Sequence, residues 1–158
     1  MLTLDGVPML YNGMEVGDTT ESGAPALFYR MPVFWEIAER RPEFPRFYRQ
    51  MIALRRAHAS LRGGELVWLH NSDESRVLSY LRRGAGEELI VAVNFSTQPF
   101  VGTVEAPAGA TFTDITPDTP EPLKPDAPPS ARAARARTSG LPAVALDSWG
   151  YRIFRRQK

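Results

Sequence analysis

Cysteine is absent from this chain of 158 residues, and histidine is nearly absent, with two residues. The lack of cysteine excludes disulfide bonds, thiolate metal sites and a cysteine nucleophile. His58 and His70 have no Ser or Asp partner and no metal-ligand spacing beside them in the sequence. We therefore expect both histidines to be structural or solvated, and we expect no metal and no cofactor.

An excess of charge of either sign is also lacking, because 19 basic residues stand against 18 acidic ones and leave a formal net charge of +1. That balance argues against nucleic acid or an acidic membrane surface as a partner. No stretch approaches the ~20 consecutive apolar residues of a membrane span, and residues 1–10 lack the basic start of a signal peptide. We expect a soluble chain with no nucleic-acid and no membrane partner, in a compartment that the sequence leaves open.

The residues that are present suffice for a core, since 43% are apolar and 23% are charged. A first zone extends from Met1 to about Phe44. It opens with an apolar run over Met1–Leu4 that predicts a strand, and it continues as a loop interrupted by many Gly and Pro residues. So many breakers argue against an independent core in this zone.

The second zone is predicted to be one helix over 45–62. Pro45 suits a first helical turn, where its missing N–H has no intrahelical partner to lose. Apolar residues then recur with steps of three and four, which is typical of a helix that packs one face against a core: Phe47, Met51, Leu54, Ala57 and Leu61. Because this face can cover a sheet, we expect the helix to pack against the strands that follow.

The third zone, from Glu65 to the end, is predicted to be β. Short segments rich in Val, Ile, Leu, Tyr and Phe alternate with turn residues, a pattern typical of an antiparallel sandwich or barrel. The predicted strands are Glu65–His70, Arg76–Arg82, Glu88–Asn94, Phe100–Glu105, Ala110–Ile115, Ala143–Asp147 and Tyr151–Arg155. Alternation places most aromatic residues of this zone in the core, although an exposed pair could form a secondary sugar site.

A segment at about 117–140 interrupts the strands. It is rich in Pro and then in Ala and Arg, with little that could be buried, and it is predicted to be a mobile surface insertion. Its arginines, Arg132, Arg135 and Arg137, are expected to be solvated rather than to bind nucleic acid.

Several motifs follow one another in an informative order. Gly6–Glu15 matches G-x-P-x-x-Y-x-G-x-E, and Arg30–Trp35 matches R-x-P-x-x-W. Phe47–Leu61 is similar to F-Y-x-x-L-I-x-L-R-x-x-x-x-x-L, with methionine where the first leucine is usual, and Val93–Ser96 and Trp149–Phe154 follow. In this order the motifs resemble the C-terminal part of glycoside hydrolase family 13, the α-amylase family, over nearly the whole chain except the insertion.

The resemblance implies a mainly β fold, in which an antiparallel β-sandwich of the amylase domain C type is preceded by one α-helix and a loop-rich remnant of a (β/α)8 barrel. Residues 1–62 would be the last βα unit of that barrel, with its strand, a long loop and the helix 45–62. Residues 63–158 would be the C-terminal sandwich with its insertion. A single barrel strand cannot pair its backbone without neighbours, so we expect the first zone to be poorly defined or to pack in a non-barrel way.

Glycoside hydrolysis requires two carboxyl groups on either side of the scissile bond. In the family these groups come from earlier barrel strands, and the segments that carry them do not occur in this sequence. Glu15, Asp18, Glu21 and Glu36 share one Gly-rich loop, with no second element to hold a pair at a fixed separation. We expect these side chains in solvent or in hydrogen bonds to nearby backbone, and we predict no catalytic residue and no activity for the chain alone.

Three residues are candidates for substrate binding: Tyr11, Glu15 and Trp35. In a complete barrel the loop after the last strand borders the active site, and flat rings suit the faces of sugars. The alternative is that the aromatic rings of this loop pack it down onto the barrel, together with Phe28, Tyr29 and Phe34. The resemblance further implies a buried, orienting role for Glu15.

Three functions stay open at this point. The chain can be the C-terminal region of an α-amylase-type glycosidase, which stabilises the missing catalytic barrel and meets α-glucan only within the full enzyme. It can be a non-catalytic carbohydrate-binding module with exposed aromatic residues. It can also be an enzyme that uses unrelated residues of the Gly-rich loop. The substrate and the reaction type of a parent enzyme are not indicated.

Overall fold

Antiparallel strands form most of the molecule. The computed structural model describes residues 1–18, 32–107, 110–117, 138–139, 141 and 143–157. A six-stranded sheet has the order β1-β2-β3-β8-β5-β6, and β4 pairs with β7 in a second sheet. Every pairing is antiparallel. The strands are β1 Glu65–Trp68, β2 Val77–Gly84, β3 Glu87–Asn94, β4 Phe100–Gly102, β5 Thr111–Asp114, β6 Thr138–Ser139, β7 Val144–Leu146 and β8 Tyr151–Gln157.

The helices precede the strands. A 3-10 turn spans Met14–Val16, and three α-helices follow: α1 Ile37–Arg40, α2 Glu43–Ala57 and α3 Ala59–Gly63. The last turn of α2 carries two arginines, whose positive charges interact favourably with the negative end of the helix dipole. Among the described residues, no helix combines the length and the apolar character that crossing a bilayer requires.

The single helix predicted from the sequence is divided at His58, whose φ of −112° and ψ of 108° are extended. In a continuous helix the amide of Ser60 would donate to the carbonyl of Arg56. Here that amide donates to the carboxylate of Glu87 at 3.1 Å instead. The freed carbonyl of Arg56 accepts a hydrogen bond from Nη1 of Arg62 at 3.0 Å. A side chain 27 residues away in the sequence therefore divides the helix.

The six-stranded sheet is buried on both faces, which explains the unbroken apolar run in β3. One core lies between the two sheets and includes Ile90, Phe112, Val144 and Phe154. It makes the β part of the molecule a sandwich, as predicted. The second core lies between the opposite face of the larger sheet and α2, so the prediction that this helix covers a sheet is confirmed.

Each of the seven predicted strands is present, with ends that differ by up to three residues. The strand predicted at Met1–Leu4 is wrong, because these residues form a turn in which the amide of Leu4 donates to the carbonyl of Met1 at 3.2 Å. No strand of the described residues lies beside them to pair with. The segment packs in a non-barrel way, with Leu2 buried in the second core.

The insertion predicted at about 117–140 lies mostly outside the described residues, which leave out 118–137 and 140. Its residues Thr138–Ser139 form β6 and pair with β5. The sequence did not predict this strand, since two residues have no periodicity of their own and depend on pairing with a neighbour.

Candidate functional site

The Gly-rich loop that contains the candidate substrate-binding residues is built around a 3-10 turn. Gly13 precedes the turn with φ 95° and Gly17 follows it with φ 70°, both left-handed conformations that favour glycine. Val16 is buried. A Cβ at Gly17 would come within 3.1 Å of the ring of Phe44, so the loop packs closely against the start of α2.

The loop carboxylates accept hydrogen bonds from nearby backbone. Oε2 of Glu15 accepts from the amide of Gly13 at 3.1 Å, and Oδ2 of Asp18 accepts from the amide of Phe34 at 3.3 Å. Glu36 is exposed, and Glu21 lies outside the described residues. These contacts are the hydrogen bonds to nearby backbone that were expected for Glu15 and Asp18.

Tyr11 and Trp35 are about half exposed, and no ring contact joins them in the described part of the chain. The aromatic residues Phe28 and Tyr29, and the first two residues of the R-x-P-x-x-W motif, lie outside that part. The structure thus presents Tyr11, Glu15 and Trp35 as separate surface groups on one loop, and their role in substrate binding stays a prediction.

Both histidines have carboxylate partners within the sandwich. Nδ1 of His58 lies 2.9 Å from Oε2 of Glu87 in a largely buried pair, and Nδ1 of His70 lies 2.6 Å from Oε1 of Glu74 at the surface. The bond to Glu74 raises the pKa of His70. No cluster of His, Asp or Glu that could hold a metal ion occurs among the described residues. His58 is thus largely buried with its partner, and His70 is exposed to solvent.

The face of the large sheet that α2 covers is here called the helix-bearing face. At its centre Met51 of α2 packs with Tyr80, Val91 and Ile153. Phe47 in the same helix makes an edge-to-face contact with Tyr151, at 5.9 Å between ring centroids. The helix and the sheet therefore share one core.

Three large aromatic side chains of the β zone are open to solvent, and two of them, Trp68 and Phe95, border this face. Trp68 is 59% exposed and pairs in register with Tyr80, whose ring it meets edge to face. Phe95, 60% exposed, follows β3 by one residue and continues the alternation of Val91. Trp149, 63% exposed, lies in the turn before β8, where its amide donates to the chain just beyond Phe95. Alternation placed most aromatic residues of this zone in the core; Tyr80, Phe112 and Phe154 are buried, and these three rings are not.

Glu87 anchors the second half of the divided helix to the β2–β3 hairpin. Its Oε1 accepts from both the amide and the hydroxyl of Ser60, at 3.1 and 3.0 Å, while Oε2 meets His58. Burial raises the pKa of Glu87, but the hydrogen bonds from His58 and Ser60 outweigh it and hold the pKa below its ordinary value.

Arg82 on β2 is fully buried. Its Nη2 and Nε donate to the carbonyl of Ser60 at 3.0 and 3.2 Å, and Nη2 also lies 3.3 Å from the carbonyl of Leu61. Nη1 has no hydrogen-bond partner among the described residues. The sequence analysis did not single out this residue, although the alternation of Leu78 and Tyr80 extends to position 82 and could have indicated that it faces the helix-bearing side.

Comparison with known proteins relates this arrangement to one family. The family model described as the C-terminal domain of maltogenic amylase matches residues 67–127. A cyclomaltodextrinase from Geobacillus thermopakistaniensis (strain MAS1) is 29% identical over 97 residues, which are 61% of this chain and 16% of the relative. A cyclomaltodextrinase from a Bacillus species is 33% identical over 92 residues, 58% of this chain and 16% of the relative.

A solved structure of similar fold is that of isomaltulose synthase from Klebsiella sp. LX3. It has a TM-score of 0.56 and 23% sequence identity, and the match covers 79% of this chain and 20% of that one. At this identity the likeness shows the fold. The chain thus spans between 16% and 20% of the length of these proteins.

Proposed function

We propose that this chain, which has the sequence and the fold of the C-terminal region of glycoside hydrolase family 13 enzymes, packs its helix-bearing face against a catalytic barrel and stabilises that barrel. The enzyme to which it contributes would act on α-glucans, the substrates that names such as cyclomaltodextrinase and neopullulanase indicate for its relatives. The chain itself would supply no catalytic residue.

The observation that carries this proposal is the distribution of exposed apolar side chains. Trp68 and Phe95 border the helix-bearing face, and further exposed apolar residues belong to the loop segments that precede α2 in the sequence. These are Val7, Met9, Tyr11, Phe34 and Trp35, with exposures between 46% and 95%. Concentrated apolar surface of this kind marks a protein interface, because water is excluded from it on association.

The polar contacts of the loop agree with the proposal. Since Glu15 and Asp18 accept hydrogen bonds from backbone amides, they fix the shape of the loop. A fixed loop presents Tyr11 and Trp35 in a constant position to whatever packs beside it. In a complete barrel these two rings would border the substrate cleft. Their contact with glucan there is a further part of the proposal.

A complementation experiment tests the proposal. The barrel of the Bacillus cyclomaltodextrinase, lacking the region that aligns with this chain, is mixed with the purified chain. We expect a 1:1 complex by size-exclusion chromatography, a higher Tm of the barrel, and recovered release of reducing sugar from maltodextrin. The chain alone is expected to release none.

Matched variants locate the interface. Trp68→Ser with Phe95→Ser should weaken the complex, because both rings border the helix-bearing face. Val101→Ser should leave it unchanged, because Val101 is equally apolar and 77% exposed but lies on β4 of the other sheet. Absence of any complex, or sugar release by the chain alone, contradicts the proposal. Retardation of the isolated chain in a starch gel would favour a carbohydrate-binding module instead.

A further inference from the structure

An arginine-lined pocket of about 290 Å³ opens between α2 and the first ten residues. Its floor is apolar, formed by Leu2, Pro8, Leu10 and Ile52. Its polar lining consists of guanidinium groups, those of Arg55, Arg56 and Arg62. The pocket therefore combines an apolar lining with concentrated positive charge.

Within the described residues, the arginines of this region have no carboxylate partner. Arg55 donates to backbone carbonyls of Leu2, Leu4 and Gly6, which are neutral acceptors. Burial and the neighbouring charges of Arg82 and Arg62 lower the pKa of Arg55. Other arginines therefore lie close to Arg55.

No carboxylate of the described residues lies within ion-pair distance of the three lining arginines or of the buried Arg82. Arg82 does not line the pocket, but its buried guanidinium adds to the positive charge near Arg55. Uncompensated positive charge beside an apolar cavity suits a ligand that has an anionic end and an apolar stem.

We propose that this pocket receives an aspartate or glutamate side chain of the domain that packs on the helix-bearing face. The proposal rests on the proposed function. The pocket is formed by α2, the helix that covers that face, so a domain packed there would reach it. The methylene groups of a glutamate would lie on Leu2 and Ile52, and its carboxylate would accept hydrogen bonds from Arg56 and Arg62, which donate to no described carboxylate. Guanidinium and carboxylate match in geometry and charge.

The first test uses the purified chain and a mimic of one residue. N-acetyl-glutamate α-amide is titrated against the chain at constant ionic strength, with backbone amide chemical shifts as the readout. Saturable shifts are expected at Arg56 and Arg62. The glutamine analogue, which has the same shape without the charge, is expected to cause none.

Arginine variants identify the groups responsible. Arg56→Gln with Arg62→Gln should weaken binding of the mimic at least about tenfold, since hydrogen bonds to charged groups are strong. Arg49→Gln, an exposed position on the same helix away from the pocket, should leave binding unchanged. Equal shifts with the glutamine analogue overturn the proposal. So does inorganic phosphate that displaces the mimic at a lower concentration, because the pocket would then be a phosphate site.

The second test uses the complex with the barrel. The double arginine variant should weaken the complex about tenfold and reduce its dependence on salt. If the variant binds the barrel as tightly as the unmodified chain does, the pocket proposal falls and the proposed function stands. If no complex forms even with the unmodified chain, the proposed function is wrong, and so is the proposal that a side chain of the barrel occupies the pocket.

Discussion

Glu87 joins the helical layer to the sheet through three hydrogen-bond donors, which are two groups of Ser60 and the ring of His58. These bonds hold the carboxylate ionised although burial opposes its charge. A group whose folded pKa lies below its unfolded value stabilises the fold above the unfolded pKa, and that stabilisation is lost as the pH falls through the folded pKa.

Glu87→Gln should therefore lower the free energy of unfolding by about 1–3 kcal/mol at neutral pH. In the unmodified chain the contribution of Glu87 should be complete above its ordinary pKa of 4.5 and should disappear at lower pH. Urea denaturation measured from about pH 7 to about pH 3 should give a shallower pH dependence for the variant. Some dependence should persist, because salt bridges with Arg156 and Arg83 also lower the pKa of Glu88.

Glu39→Gln serves as the matched control, since Glu39 is exposed on α1 and forms no ion pair within the described residues. Its stability should change little at any pH. An identical pH dependence in the Glu87 variant and the unmodified chain would show that the contact with α3 is energetically unimportant.

The contacts of single residues were the hardest feature to predict from the sequence. The division of the helix at His58 is accompanied by hydrogen bonds to Glu87. Glu87 is distant in the sequence, so no local pattern predicts this contact. Buried Arg82 donates to carbonyls in the last turn of α3, and this contact depends on how α3 packs against β2, which local sequence does not record. By contrast, the solvated state of His70 could be predicted from its turn-rich surroundings.

At the scale of elements, the β2–β3 hairpin turns through two residues that both have positive φ, Ala85 at 50° and Gly86 at 76°. That combination is a type I′ turn, which Asn-Gly favours because asparagine tolerates the left-handed conformation better than alanine. Ala85→Asn should raise stability by roughly 0.5–1 kcal/mol, part of the ~1–2 kcal/mol that the conformation costs an ordinary residue. Thermal denaturation would measure it as a higher Tm.

Ala85→Val is the opposing control for the hairpin. A β-branched residue is strained at positive φ, so this variant should have a lower Tm than the unmodified chain. If valine and asparagine shift the Tm in the same direction, left-handed strain does not control the stability of this turn.

The packing of α2 on the sheet gives a larger effect. Met51 is 4% exposed and contacts the second core. Met51→Ala should lower the free energy of unfolding by about 2–5 kcal/mol, because it leaves a cavity between helix and sheet. Arg49→Ala, on the exposed side of the same helix, should change stability by no more than about 0.5 kcal/mol in the same denaturation experiment. Equal losses in both variants would mean that the helix is not held by this core.

The helix and the strands were the features that the sequence predicted best, for a physical reason. The apolar steps of α2 and the short β-rich segments record burial directly, so the helix and seven strands follow from periodicity. The exceptions depend on neighbours: a strand at Met1–Leu4 would need flanking barrel strands, and β6 needs β5. Hydrophobic periodicity predicts which face of a helix or strand is buried. It does not predict which other element packs against that face.

At the scale of the whole molecule, several large apolar side chains are exposed, and Trp68 and Phe95 among them border the helix-bearing face. The native chain should therefore bind the dye ANS, which reports exposed apolar surface. The double variant Trp68→Ser with Phe95→Ser should bind less dye at unchanged Tm, since both rings are largely exposed. Val101→Ser should bind as much as the unmodified chain. A loss of dye binding confined to the Val101 variant would place the apolar surface on the other side of the molecule.

The join between helix and sheet has a mechanical consequence. Between the end of α3 and the start of β1 there is one residue, Gly64, whose Cα lies so near β2 that an added Cβ would come 2.7 Å from the carbonyl oxygen of Arg83. Covalently linked domains rotate relative to one another by default when a pliable linker joins them. Here the one-residue connection leaves no room for rotation. A domain that binds α2 would therefore move together with the sandwich as one rigid unit.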